Sequence, residues 1–192
     1  MVTNCHTLLT GFEPFTTGLG LTLEHNPTAD IAVRIGAQLE DVQAVVLPVS
    51  YSETPKALTR AFETHRPRKW LGLGFAPHRT SLDIELFALN MAHAVRGDND
   101  GACPQLTPII PDGPTAYRTG LDVSSAIRIF ADHGVRAMPS FHAGTFLCNQ
   151  TFYLASQQCA QETIDLAAFI HVPPMKDYRP FEEGLSVLLE RL

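Results

Sequence analysis

The sequence predicts an α/β fold: a largely parallel, mixed central sheet covered by helices on both faces. Three observations carry this. Short apolar runs alternate with helical patterns along most of the chain. Several of those runs are apolar throughout, as strands buried on two faces are. Capping residues stand where the helical patterns begin.

The elements follow in order. HTLLTGF (6–12) reads as a buried strand ending in glycine, followed by a Gly- and Thr-rich loop, EPFTTGLGLTLEH. Asn26-Pro27-Thr28 opens a helix, with Asn as N-cap, Pro at the first position, and an apolar stripe through Ile31, Ile35 and Leu39. VQAVVLPVS (42–50) is a strand, and SETPKALTRAFETHR (52–66) a helix capped by Ser52 or Thr54. KWLGLGF (69–75) is a buried strand, and SLDIELFALNMA (81–92) has the composition of another. From His93 to Leu121 the Pro and Gly signals predict loop. SSAIRIFADHG (124–134) is a helix ended by Gly134, VRAMPS (135–140) a strand and FLCNQTFYLASQQCAQ (146–161) a helix. IDLAAFIHVP (164–173) is the last strand and FEEGLSVLLERL (181–192) the closing helix.

A chain of 192 residues supports one sizeable core, so a single domain over 1–192 is expected. Lys plus Arg number 14 against 20 Asp plus Glu, a formal charge of −6, which argues against a nucleic-acid groove. No apolar run approaches the roughly 18–20 residues of a membrane span. The first residues, MVTNCHTLLTGFEPF, lack the basic start and cleavage site of a signal peptide, so a cytoplasmic location is expected. No internal repeat, CxxC pair or HExxH-type spacing is present, and neither a metal nor another cofactor is expected. The glycines after the first strand form neither GxGxxG nor a GK[ST] ending, which leaves a nucleotide site unsupported.

In open α/β sheets, functional groups gather where strands end and helices begin. Three places fit: Phe12-Glu13-Pro14-Phe15, Cys148 and His171. Cys148 follows a small-residue turn in HAGTFLCNQTFY, at a helix start where the positive dipole end and unpaired N–H groups favour a negative sulfur and stabilise an oxyanion. Read as packing, it is a small apolar filler, because free cysteine is among the most buried residue types. His171 ends the apolar run AAFIHVP; it suits a general base that later protonates a leaving amine, or a histidine satisfied by a carbonyl. Glu85 sits inside SLDIELFALN, on the strand face that also carries Asp83. It is either the partner of an imidazole or part of a solvated strand face.

TGFEPF, the AG-x-x-x-CN core of HAGTFLCNQTFY, and FIHVP, in that order with Glu85 between, resemble the cysteine-type pyroglutamyl peptidases, also called pyrrolidone-carboxylate peptidases. The resemblance runs from about Thr10 to Pro173. It implies an α/β/α sandwich, a metal-free intracellular hydrolase, a homodimer or homotetramer, and removal of pyroglutamate from N-terminally pyroglutamylated peptides through a thioester on the cysteine. Carried over, Cys148 is the nucleophile, His171 the general base and acid, and Glu85 the orienting carboxylate. Phe12 and Phe15 flank the lactam ring, Asn26 matches the family's Asn-Pro-Ser/Thr, and Phe146 adds a wall.

The chain also departs from the family. Gly74-Phe75-Ala76-Pro77-His78-Arg79 stands where members commonly have Gly-Gln-Ala-Gly-Gly-Arg, so Phe75 occupies the place of a glutamine whose backbone carbonyl meets the lactam. The family's Arg-x-x-Asp-Asn appears one residue shorter, as Arg96-Gly97-Asp98-Asn99, with Val95 at the ungapped position; Arg96 is the candidate for oxyanion support. These departures keep two alternatives in view: a cysteine amidase for another small acyl group, and a pyroglutamate-binding homologue with impaired catalysis.

Overall fold

The computed structural model describes residues 5–16, 20 and 22–192; residues 1–4, and positions 17–19 and 21 of the loop expected after the first strand, lie outside the described residues. The elements are β1 (Thr7–Phe12), α1 (Pro27–Gln38), β2 (Val42–Leu47), α2 (Glu53–His65), β3 (Lys69–Phe75), β4 (Leu82–Glu85), β5 (Phe87–Leu89), β6 (Ala116–Arg118), α3 (Val123–Asp132), β7 (Ala137–Ser140), α4 (Leu147–Ala160), β8 (Leu166–Val172) and α5 (Arg179–Arg191).

Six strands form the central sheet in the order β2-β1-β3-β8-β4-β7. β2, β1, β3 and β8 run parallel, β4 is antiparallel to β8, and β7 is parallel to β4. The sheet is therefore mixed and mostly parallel. One face carries α1, α3 and α5 around Leu9, Ile31, Leu71, Phe130, Ile170 and Phe181. The other carries α2 and α4 around Leu8, Leu58, Trp70, Phe152, Tyr153 and Phe169. Strand alternation explains this division: on β8, Ile170 and Val172 face the first core while Ala167 and Phe169 face the second. His171, two residues beyond Phe169, accordingly faces the α4 side.

Asn26 caps α1, its Oδ1 accepting from Thr28 N–H. At α2 the N-cap position belongs to Ser52, but its side chain makes no capping bond; Ser50 Oγ accepts from Glu53 N–H instead. The apolar stretch 81–92 is two strands in two sheets. Its break is at Leu86, whose N–H donates to Ser140 C=O in the main sheet while its C=O accepts from Thr119 N–H. β5 then pairs antiparallel with β6, a strand inside the segment expected to be loop. Alternate residues of β6 are exposed and it has only three residues, so its period-2 signal is too short to read.

Candidate active site

Cys148 is the second residue of α4. The turn before it contains Gly144 at φ +79, a left-handed conformation that favours glycine. Phe146 occupies the N-cap position without any side-chain hydrogen bond. The first-turn N–H groups beside Cys148 therefore have no acceptor within the helix and none from the cap side chain. Asn149, the next residue, is fully buried. Its Oδ1 accepts from Leu89 N–H, and its Nδ2 donates to the carbonyls of Leu89 and Met91. Three bonds from one amide thus fasten the start of α4 to β5 and to Met91 just beyond it. Thr145 Oγ1 adds a bond to His93 C=O.

The sulfur lies over β3. A methyl group built on Gly74 would sit 2.8 Å from Cys148 Sγ and 2.8 Å from Phe169 Cε1. Gly74 is the register partner of His171 on the neighbouring strand β8. That pairing brings thiol and imidazole onto adjacent strands, close enough for the sulfur to raise the pKa of the ring. Gly74 thus supplies the space in which the sulfur sits. Gly74→Ala is expected to displace Sγ, lower kcat about 10²-fold and cost about 1–3 kcal/mol of stability through overpacking. Thermal unfolding and a single-turnover assay read the two effects, and wild-type turnover in this variant would refute the placement.

His171 Nδ1 lies 2.7 Å from Glu85 Oε1, and both side chains are buried. A carboxylate only accepts, so Nδ1 carries the proton and Nε2 is left for the sulfur. Phe169 meets the imidazole edge-on at 5.1 Å between centroids and limits its rotation. Burial is the largest influence on the imidazole and by itself lowers its pKa. The charge of the Cys148 sulfur, its hydrogen bond and those from Glu85 outweigh it, raising the pKa to about 9. The solvated strand face considered for Asp83 and Glu85 is overturned. Asp83 is buried and paired with Arg79, and Glu85 is wholly enclosed.

Beside the sulfur is an apolar slot lined by Phe12, Phe15, Asn26, Val49, Phe75, Phe146, Leu147 and Cys148. All five residues expected around the ring are among them. Asn26 spends its polar atoms on structure: Oδ1 accepts from Thr28 N–H and Oγ1, and Nδ2 donates to Glu13 C=O. Thr28 Oγ1 in turn accepts from Phe12 N–H. The amide therefore ties the Phe12–Glu13 segment to the start of α1 while it walls the slot.

Arg96 stands elsewhere. Its side chain is exposed and its guanidinium lies against Gly20, outside the residues that line the slot. The following residues hold the loop: Asp98 accepts from the N–H groups of Tyr51, Asp100 and Ala102, and Asn99 donates to Pro14 C=O. Tyr51 then meets Phe146 edge-on at 5.5 Å. Gly74, Asn149 and Asp98, which stand in the quoted motifs without an assigned role, and Tyr51, which no motif marks, also shape the site.

Comparison with known proteins decides the relationship. The family model described as pyroglutamyl peptidase matches residues 5–182. The chain belongs to the pyroglutamyl peptidase family. A pyrrolidone-carboxylate peptidase of Pseudomonas fluorescens is 34% identical over 189 residues, covering 96% of this chain and 86% of the relative. One from Pyrococcus furiosus is 35% identical over 170 residues, covering 86% and 79%. A crystal structure of a mutant pyrrolidone carboxyl peptidase from P. furiosus superposes with a TM-score of 0.88 at 30% identity, covering 97% of each chain. The family is a cysteine-type peptidase family, and this chain is a cysteine-type peptidase of the α/β class. Among the described residues no helix is long and apolar enough to cross a membrane, and no group of three or more His, Cys, Asp or Glu side chains could hold a metal ion.

Proposed function

We propose that this chain removes an N-terminal pyroglutamyl residue from peptides by acyl transfer through Cys148. The observation that carries this reading is the pairing of the Glu85–His171 dyad with a thiol that faces a slot of four phenylalanines. His171 Nε2 holds the proton drawn from the sulfur, and Sγ attacks the pyroglutamyl carbonyl carbon. The oxyanion is received by the open N–H groups at the start of α4. Arg96, lying against Gly20, has that role only if its loop moves toward the sulfur. His171 then gives its proton to the departing amine as the C–N bond breaks, leaving a thioester. Water, deprotonated by His171, attacks the thioester and restores the thiol.

The slot suits a flat, neutral, five-membered lactam, and a charged amino terminus would lose its hydration there without a partner. It encloses only about 20 Å³ as it stands, about the room of one water. A ring therefore enters by parting the half-buried Phe15 and Phe146. A cytoplasmic location and a homodimeric or homotetrameric assembly belong to the same proposal.

A panel of coumarin amides tests the reading. Pyroglutamyl amide should be cleaved at least about 10²-fold faster, in kcat/KM, than prolyl or N-acetylalanyl amide. Equal cleavage of the three would replace it with a general cysteine amidase.

A further inference from the structure

On the α4 side of the sheet the helices cover β1, β3 and β8 and stop short of the β4–β7 end. There a cleft of about 480 Å³ opens, lined among others by His78, Arg79, Asp83, Met138, Phe141 and His142. It adjoins the site directly: Asp83 is the register partner of His171, and Glu85 is that of Ser140. Phe141 is 71% exposed and Met138 41% exposed. Neither side chain is needed to close a core, and both face the open space.

The order of strands gives this cleft a meaning. The aromatic slot lies over the β1–β3 side, and the sulfur lies over Gly74 on β3. The imidazole is on β8, its carboxylate on β4, and the cleft over β4 and β7. An acyl group held in the slot and attacked by Sγ leaves its amine on the side of the imidazole that protonates it. Asp83, the register partner of His171, lines the cleft, which places the cleft on that side. Two strand spacings, about 10 Å, separate β8 from β7. That is within reach of a large side chain on the residue attached to the departing amine.

We propose that this cleft is the leaving-group subsite, which receives the side chain of the residue that follows pyroglutamate and favours an apolar or aromatic one through Phe141 and Met138. The inference rests on the peptidase reading above and adds a selectivity to it. The charges present are already engaged. Arg79 is ion-paired with Asp83. Burial, followed by the nearby charges of Arg79 and His171, holds His78 below its ordinary value. His142 Nδ1 accepts from Gly144 N–H in the turn that leads to α4. Phe141 and Met138 offer a substrate apolar surface, and the cleft has ample room for a large side chain.

The test compares kcat/KM for pyroglutamyl-phenylalanine amide and pyroglutamyl-alanine amide in the intact protein and in the Phe141→Ser/Met138→Ser double variant. The wild type should favour the phenylalanine substrate roughly tenfold, and the double variant should bring that ratio down to about one to two. A ratio near one in the wild type, or one that the double variant leaves unaltered, overturns the subsite while leaving the peptidase reading intact. Failure of the wild type to cleave either peptide overturns both. Circular dichroism of the variant, expected to match the wild type because both side chains are exposed, separates a lost subsite from a lost fold.

Discussion

Cys148→Ala is expected to lower kcat for a pyroglutamyl amide by about 10⁴–10⁶-fold, to the level left by binding and oxyanion stabilisation alone. His171→Ala should fall to nearly the same level, and the double variant little further. In the proposed mechanism the two side chains act as one unit, the imidazole holding the sulfur's proton while sulfur attacks, and the second loss has nothing left to remove. Folding should persist in Cys148→Ala. The sulfur is half-buried beside a slot, and its removal leaves the three Asn149 bonds that fasten α4 in place. Progress curves at high enzyme concentration, with iodoacetamide labelling of the wild type mapped by mass spectrometry, read both sides of this. Turnover above about 1% in Cys148→Ala would end the acyl-enzyme mechanism.

Glu85→Gln should lower kcat by about 10²–10⁴-fold and also change the shape of the pH profile. In the proposed mechanism His171 must hold the proton that it gives to the leaving amine. Its pKa is raised to about 9, so wild-type activity should decline as pH rises through about 9. Burial opposes that elevation, and the sulfur and Glu85 produce it. With glutamine the negative charge is gone, and the alkaline limb should move to lower pH. The linkage to stability has a definite sign. Because the folded pKa lies above the ordinary value of 6.5, the stabilisation is complete below about 6.5 and is lost as pH climbs through about 9. In Glu85→Gln that dependence should flatten. An alkaline limb that stays in place would show that Glu85 only fills space. Unfolding midpoints measured across the same pH range provide a readout independent of turnover.

How much of this could be read from the residues differs between elements. The helix starting at Asn26-Pro27-Thr28 was legible because cap, proline and stripe are local signals, and α1 spans Pro27–Gln38. β3 and β8 were legible because strands buried on two faces are apolar throughout. The stretch 81–92 misled because its composition is uniform while its hydrogen-bond partners change at Leu86, and partners are not encoded locally. Asp83 and Glu85 were ambiguous for the same reason. Two acids on one strand face suit water as well as they suit a buried pair, until β8 and Arg79 arrive beside them.

The order of elements, the alternation that sorts each strand's side chains, and the residue types able to act as nucleophile, base and carboxylate were determined by the sequence itself, because propensity, capping and periodicity act over a few residues. The tertiary structure alone decided that Gly74 gives up its side chain to the sulfur and that His171 meets Glu85 across antiparallel strands. It also sent Arg96 toward Gly20 and left the β4–β7 end uncovered. Each of these depends on strand register and on contacts between segments far apart in the chain, and such contacts are set by the packing of the whole sheet.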